Sequence, residues 1–279
     1  LMGGFAVHGG LSKALFDFAN ALLGRFKGGM AMAGILACAA FGAISGSTVA
    51  TTATIAQVAY PEMRRISYSG RLATAALATG GTMGVLLPPS VTLMVYAILT
   101  EQNITKTFLA AYVPAILAAL GYLVVIAIYV RLHPTHAPEA RAASASEVAQ
   151  SAAGVWPIAL IFVAVFGGIY GGIFTPTEGA AIGATLTFAI TLINRQLTLK
   201  KAIESIRTTA VTSGMIFMIF LGADMMNASL ALSQLPNQLA ELIAHAAIPP
   251  VLVMAVIMLF YVALGCVMDE MSMILLTVP

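Results

Sequence analysis

Residues 28–60 carry no charged side chain. That run is well past the ~20 apolar residues needed to cross a ~30 Å hydrocarbon core, yet Ser45-Gly46-Ser47-Thr48 interrupts it midway. Each arm is then about 13–16 residues, or about 20–24 Å of helix at 1.5 Å per residue, too short to cross. A helical hairpin that enters and returns to the same face accommodates both lengths. Irregular backbone at its tip is tolerated only where protein or a water-filled cavity surrounds it.

The rest of the chain agrees with a lipid solvent. Of 279 residues, 60% are hydrophobic and 9% charged, with a mean hydropathy of +0.96; a soluble domain carries about 25% charged residues. A net charge of +2 offers no basic field for nucleic acid. Cys38 and Cys266 sit in apolar runs at no metal-ligand spacing. These features predict an all-α polytopic membrane protein in the lipid bilayer. Spans are expected at 72–98, 108–130, 155–173, 178–193 and 210–232. A second hairpin, 250–279, has its tip at Gly265-Cys266-Val267-Met268-Asp269-Glu270 and its return arm cut short. Amphipathic stretches at 8–25 and 235–248, apolar at three- and four-residue spacing, precede the two hairpins as helices lying in the interface. The opening at Leu1 without a signal-peptide n-region and the stop at Pro279 in an apolar run read as an internal piece of a longer protein.

Threading these elements with the open end of the first hairpin in the cytoplasm places every one of the 13 Lys and Arg residues except Lys106 on the cytoplasmic side, a decisive positive-inside bias. The second hairpin then enters from the opposite face. Two units entering from opposite sides make an inverted-topology repeat, the architecture of secondary transporters. The first repeat is expected over 1–132, a mobile cytoplasmic linker over 133–154, and a truncated second repeat over 155–279. His133 and His136, two residues in that linker, are assigned no role.

Three places can carry chemistry. Ser45, Gly46, Ser47 and Thr48, with Thr51, Thr52 and Thr54 following, concentrate hydroxyls at membrane depth. A hairpin tip exposes carbonyls suited to a hard cation and N–H groups suited to an anion, although the same residues also permit close helix packing. Gly80, Gly81 and Gly84, followed by Pro88 and Pro89, should unwind the span at 72–98 near the midplane, which favours a binding site over a simple kink. Asp269 is an acid at the second tip; it either ligates a cation or is an interfacial acid at a loop that reaches water. Glu178 reads as structural: Thr175-Pro176-Thr177-Glu178 is a capping box with proline at the first helical position. Gly167, Gly168, Gly171 and Gly172 read as a helix-packing face.

The ordered set Ala43-Ile44-Ser45-Gly46-Ser47-Thr48-Val49-Ala50-Thr51-Thr52, Pro61-Glu62-Met63, Gly80-Gly81-Thr82-Met83-Gly84, Pro88-Pro89-Ser90, Phe174-Thr175-Pro176-Thr177-Glu178 and Met268-Asp269 resembles the large membrane subunit of tripartite ATP-independent periplasmic (TRAP) transporters over essentially the whole chain. Against that family, spans ahead of Leu1 and the second broken helix after Pro279 are expected to be missing, and half of the site with them. The resemblance implies a multi-pass protein of the bacterial inner membrane that imports an organic acid, such as a C4-dicarboxylate or sialic acid, together with Na⁺. It implies two partners, a small four-helix membrane subunit and a periplasmic substrate-binding protein, and an elevator-type motion of a transport domain against a scaffold. Carried over, Ser45, Gly46, Ser47, Thr48, Gly81, Thr82 and Pro88 would face substrate. Ser45, Ser47, Gly81 and Gly84 would hold one Na⁺, and Asp269 with Ser272 another.

The runner-up is an inverted-repeat anion symporter working without a binding protein, which gene neighbours would distinguish. An intramembrane enzyme needs a nucleophile–base pair or a metal cluster. No His-Glu-x-x-His occurs, and none of the four His falls in a predicted span, so the chain is read as no enzyme. A non-transporting scaffold leaves the hairpins and the broken span without purpose.

Overall fold

The computed structural model describes residues 1–138, 143–234 and 249–278, together with Gln238 and Glu241. Among the described residues every regular element is helical: α1 (Met2–His8), α2 (Leu11–Leu23), α3 (Gly29–Ser45), α4 (Thr48–Arg65), α5 (Gly70–Gly81), α6 (Met83–Leu86), α7 (Val91–Leu99), α8 (Ile104–Leu132), a 3₁₀ turn at Pro134–His136, α9 (Ala145–Tyr170), α10 (Pro176–Ile193), α11 (Leu199–Ser233), α12 (Pro250–Gly265) and α13 (Glu270–Thr277). Helices α8, α9, α10 and α11 are long and apolar enough to cross a membrane, which makes the chain a multi-pass membrane protein. It divides into two units, Leu1–Ala97 with Gln102–Thr209, and Ile98–Glu101 with Ala210–Pro279.

The centre of the first unit is α3, whose small side chains let α2, α4, α5, α6 and α8 approach closely. Phe16, Ile35, Phe41, Ile55 and Met63 fill the remaining space and are fully buried. The 17 residues of α3 give about 25 Å of helix, short of the ~30 Å core. Gly46 ends α3 in the left-handed region at φ 62 and donates its N–H to the Gly42 carbonyl at 2.7 Å. Ser47 is the N-cap of α4, its hydroxyl accepting from the Ala50 N–H at 3.4 Å. The arms are longer than the charge-free run suggests, because α4 continues through Pro61 to Arg65 and closes on an exposed Arg65–Glu62 pair at 2.8 Å.

The amphipathic helix starts at Leu11, since Gly10 at φ 69 separates it from the additional helix α1. Its stripe of Leu11, Leu15, Phe16 and Ala19 is buried and packs on α3 and α9, so protein covers the face expected to lie in the interface. Helix α1 packs on α10, with Phe5 edge-on to Phe188 at 5.2 Å between ring centroids. The broken span appears as a bend of 41° between the stretches Gly70–Leu86 and Val91–Leu99.

Two expectations need correction. The linker expected over 133–154 is largely structured: α9 begins at Ala145, and Ser144 and Glu147 form a capping box in a stretch read as loop for its Ala and Ser content. His133 stacks on Tyr129 and on His136, the His136 Nδ1 lies 2.8 Å from the Tyr129 hydroxyl, and the His136 carbonyl accepts from the Ser69 N–H at 2.9 Å. This ties the start of the segment to the α4–α5 turn. The second correction concerns the glycines at 167–172. A methyl on Gly168 would overlap the Phe174 ring, Gly167 has open space beside it, Gly171 caps α9, and Gly172 turns the chain at φ 70. They admit one aromatic ring and a turn and form no continuous helix face, because α9 stops at Tyr170.

In the second unit α12 and α13 form the described part of the second hairpin, joined by a bond of 2.7 Å between the Tyr261 hydroxyl and Thr277 Oγ1. The arm expected at 235–248 lies outside the described residues apart from Gln238 and Glu241.

Candidate functional site: the first hairpin tip and the broken span

The tip of the first hairpin sits directly on the break between α5 and α6. A methyl group on Gly42 would lie 2.5 Å from the Gly84 Cα, one on Gly84 would lie 2.7 Å from the Ser47 carbonyl oxygen, and one on Gly81 would overlap Thr52 Oγ1. Only glycine admits such close backbone approach. Gly46 faces the Pro89 carbonyl, with 3.0 Å between that oxygen and an added Cβ. At the tip Ser47 therefore meets Gly84 and Gly46 meets the Pro88-Pro89 segment, while Gly81 packs on Thr52, one turn into α4, and Ser45 lies against Gly3 of α1.

The hydroxyls of the tip are organised among themselves. Ser45 Oγ and Thr51 Oγ1 are 2.6 Å apart, the Ser47 N–H approaches Ser45 Oγ at 3.4 Å, and Thr52 Oγ1 donates to the Thr48 carbonyl at 2.8 Å. Thr51 is fully buried. Thr82, expected to face the same site, instead donates its hydroxyl to the Thr79 carbonyl at 2.7 Å and lies 3.2 Å from the Tyr122 hydroxyl on α8. Pro88 is buried in the non-helical segment between α6 and α7.

Chemically, the end of α3 presents its last carbonyls, and the start of α4 presents its first N–H groups. The first set carries partial negative charge and the second partial positive charge, so cation and anion preferences lie side by side at one tip. Hydroxyl oxygens from Ser45, Ser47 and Thr51 add hard neutral donors of the kind that Na⁺ takes. Among the described residues no three His, Cys, Asp or Glu side chains group as a metal cluster.

At the second tip Asp269 is the N-cap of α13. Its carboxylate accepts from the Ser272 N–H at 3.3 Å and from the Ser272 hydroxyl. The two residues are thus brought together, in a helix cap. Glu178 accepts from the Thr175 N–H at 2.7 Å, and Thr175 Oγ1 accepts from the Glu178 N–H at 3.3 Å, the reciprocal capping read in the sequence.

A larger recess, about 770 Å³, lies at the other end of the first hairpin, between α2, α4 and the start of α9. Lys13, Asp17, Glu62, Arg65 and Glu147 line it. Pro61, also at its wall, is about 20 Å along α4 from Thr48, so this recess is no part of the tip site. Burial pushes the Asp17 carboxyl above its ordinary value, with Lys13 acting to lower it and Glu62 to raise it.

Sequence reasoning missed Gly42 and Tyr122. Gly42 was legible as the residue four before Gly46, the small-xxx-small spacing of close helix contacts. No local pattern announces Tyr122, a residue 40 positions from the Thr82 it meets.

Residues 1–279 match the family described as "Tripartite ATP-independent periplasmic transporter, DctM component". The chain is 32% identical to the C4-dicarboxylate TRAP transporter large permease protein DctM of Pseudomonas aeruginosa, over 100% of this chain and 65% of that protein. It is 28% identical to the 2,3-diketo-L-gulonate TRAP transporter large permease protein YiaN of Escherichia coli, over 97% of this chain and 64% of the relative. The sialic acid TRAP transporter large permease protein SiaM of Vibrio cholerae is 29% identical over 97% of this chain and 63% of its own length. The chain spans a little under two thirds of the length of these relatives.

Proposed function

The chain belongs to the DctM component family of tripartite ATP-independent periplasmic transporters, and from that premise we propose that it is the core of the permease subunit of a Na⁺-coupled importer of an organic acid. C4-dicarboxylates, sialic acids and sugar acids such as diketogulonate are the candidate cargo, the classes named for the relatives. The observation that carries the reading is the first hairpin tip seated on Gly84 and the Pro89 carbonyl, where the broken span bends and where α3 carbonyls and α4 N–H groups converge.

In this reading Na⁺ sits among oxygens of Ser45, Ser47 and the backbone around Gly81 and Gly84. The substrate carboxylate meets the α4 N-terminus at Thr48 and the adjoining Gly46 and Pro88, while the Thr82 hydroxyl, turned to Tyr122, takes no part. Coupling follows from charge. A bound cation offsets the carboxylate beside it, so the loaded tip enters a low-dielectric interior more easily than either ion alone. Asp269 and Ser272 serve a second Na⁺ once the cap hydrogen bonds are shared with the ion.

The two hairpins belong to repeats of opposite topology that move as an elevator against a scaffold in the bacterial inner membrane. A periplasmic binding protein delivers the acid, and a small four-helix membrane subunit braces the permease. The test is uptake of a labelled C4-dicarboxylate and of sialic acid by the assembled transporter in proteoliposomes, with and without binding protein and an inward Na⁺ gradient. Uptake that needs both supports the reading. Uptake indifferent to sodium contradicts the coupling, and uptake without a binding protein contradicts the tripartite assembly.

A further inference from the structure

Beside α5, away from the hairpin tip, a groove of about 280 Å³ runs between α5 and α8 with α3 as its floor. Its walls are apolar or small, with Ala75, Ala76 and Leu72 on one side and Val125 and Ile126 on the other, over Ile35. The alanines of α5 leave the space, and Val125, 63% exposed on α8, lies at its mouth.

One end of the groove is charged. Arg71, the second residue of α5, lines it and forms no ion pair among the described residues. The other polar group at that end, the Tyr129 hydroxyl, is already engaged by His136. An occupant is therefore an amphiphile with an apolar tail and an anionic head. From Arg71 to Thr79, at the inner end, the groove follows α5 for about 12 Å. That is close to one leaflet, half of the ~30 Å core, and too short for a transmembrane helix of a partner subunit. Length, apolarity and a cation with no ion pair among the described residues fit a phospholipid.

We propose that the groove between α5 and α8 is a binding site for an anionic membrane phospholipid, one acyl chain lying between Ala75 and Val125 and the phosphate on Arg71. Its inner end touches Thr79 and Tyr122, one turn from the helix break, where Tyr122 meets Thr82. The lipid thus packs on the wall of the broken span.

The test uses the protein in vesicles of phosphatidylethanolamine and phosphatidylglycerol doped with a phosphatidylglycerol carrying a photoactivatable acyl chain, followed by peptide mapping. Crosslinks are expected to concentrate on residues 71–79 and 122–129. Arg71→Gln, at an exposed side chain whose loss leaves the packing intact, should lower them about fivefold, the factor that one basic residue near an anionic headgroup contributes. Ala75→Phe, which plugs the groove, should abolish them while labelling of the outer face of α8 at Leu117 and Leu120 persists. Competition by excess unlabelled phosphatidylglycerol should exceed that by phosphatidylethanolamine in the parent protein and equal it in Arg71→Gln. Labelling of 71–79 and 122–129 that neither variant changes overturns the proposal. So does a groove occupied by the small subunit, seen as protein–protein crosslinks from position 75 with no lipid adduct.

Discussion

At the first hairpin tip, α3 ends on a left-handed glycine and its hydroxyls press against the glycine-rich break of α5. At the second tip, α12 ends at Gly265, beside which a methyl group would meet nothing within 4 Å, and the carboxylate of Asp269 caps α13. Both tips must satisfy helix-end groups at membrane depth. The first does so with glycines and neutral hydroxyls, which tolerate an adjacent backbone. The second does so with a charged cap inside its own turn. A tip built for close contact spends side-chain volume; a tip built on a local cap keeps it.

The largest effect expected from this contrast is steric. Gly84→Ala forces a methyl against the Ser47 carbonyl, a backbone atom that cannot swing away, and should destabilise the protein by about 1–3 kcal/mol. Gly265→Ala should stay within about 0.5 kcal/mol of the parent. Thermal unfolding of the two variants in detergent reads the difference, and equal losses would break the contrast.

The next effect separates capping from charge at the second tip. Asp269→Ala removes the cap and should cost about 1 kcal/mol, whereas Asp269→Asn keeps a good N-cap and should unfold like the parent. If the carboxylate also holds Na⁺, the Asn variant raises the sodium concentration for half-maximal uptake although its stability is unchanged. An unaltered sodium dependence leaves Asp269 with capping as its whole role.

The smallest effect lies at the base of the first hairpin, where charge replaces glycine. Burial raises the Asp17 carboxyl above its ordinary range, so the folded state holds that proton more tightly than the unfolded chain does. Stability therefore declines as pH climbs from the ordinary carboxylate range through the raised value. Asp17→Asn should melt slightly higher than the parent above that window and equal to it below. A lower melting temperature at pH 7 would mean that the attraction of Lys13 outweighs the burial.

Much of this molecule was legible because its signals are local. The charge-free run with a Ser-Gly-Ser-Thr interruption marks the α3–α4 turn, paired glycines and prolines mark the bend of α5 to α7, and Thr175 through Glu178 spell their own cap. What escaped depends on partners distant in sequence. Ser144 and Glu147 begin α9 inside a stretch whose Ala and Ser content reads as linker. His133 and His136 gain a role only because Tyr129 and Ser69 stand beside them. The direction of the Thr82 hydroxyl, toward Tyr122 and away from the hairpin tip, is set by the path of α8 and by no feature of its own segment.

If the first hairpin tip holds the coupling ion as proposed, the sodium dependence of a Ser45→Ala transporter must change. The substitution removes one oxygen that the tip offers a cation and the partner of Thr51, without adding volume. With protein amount and folding matched to the parent, the sodium concentration for half-maximal uptake should rise about tenfold or more, since a contact to a charged group contributes about 1.5–3 kcal/mol. The same half-maximal concentration as the parent, at normal expression, would contradict the assignment of the ion to this tip.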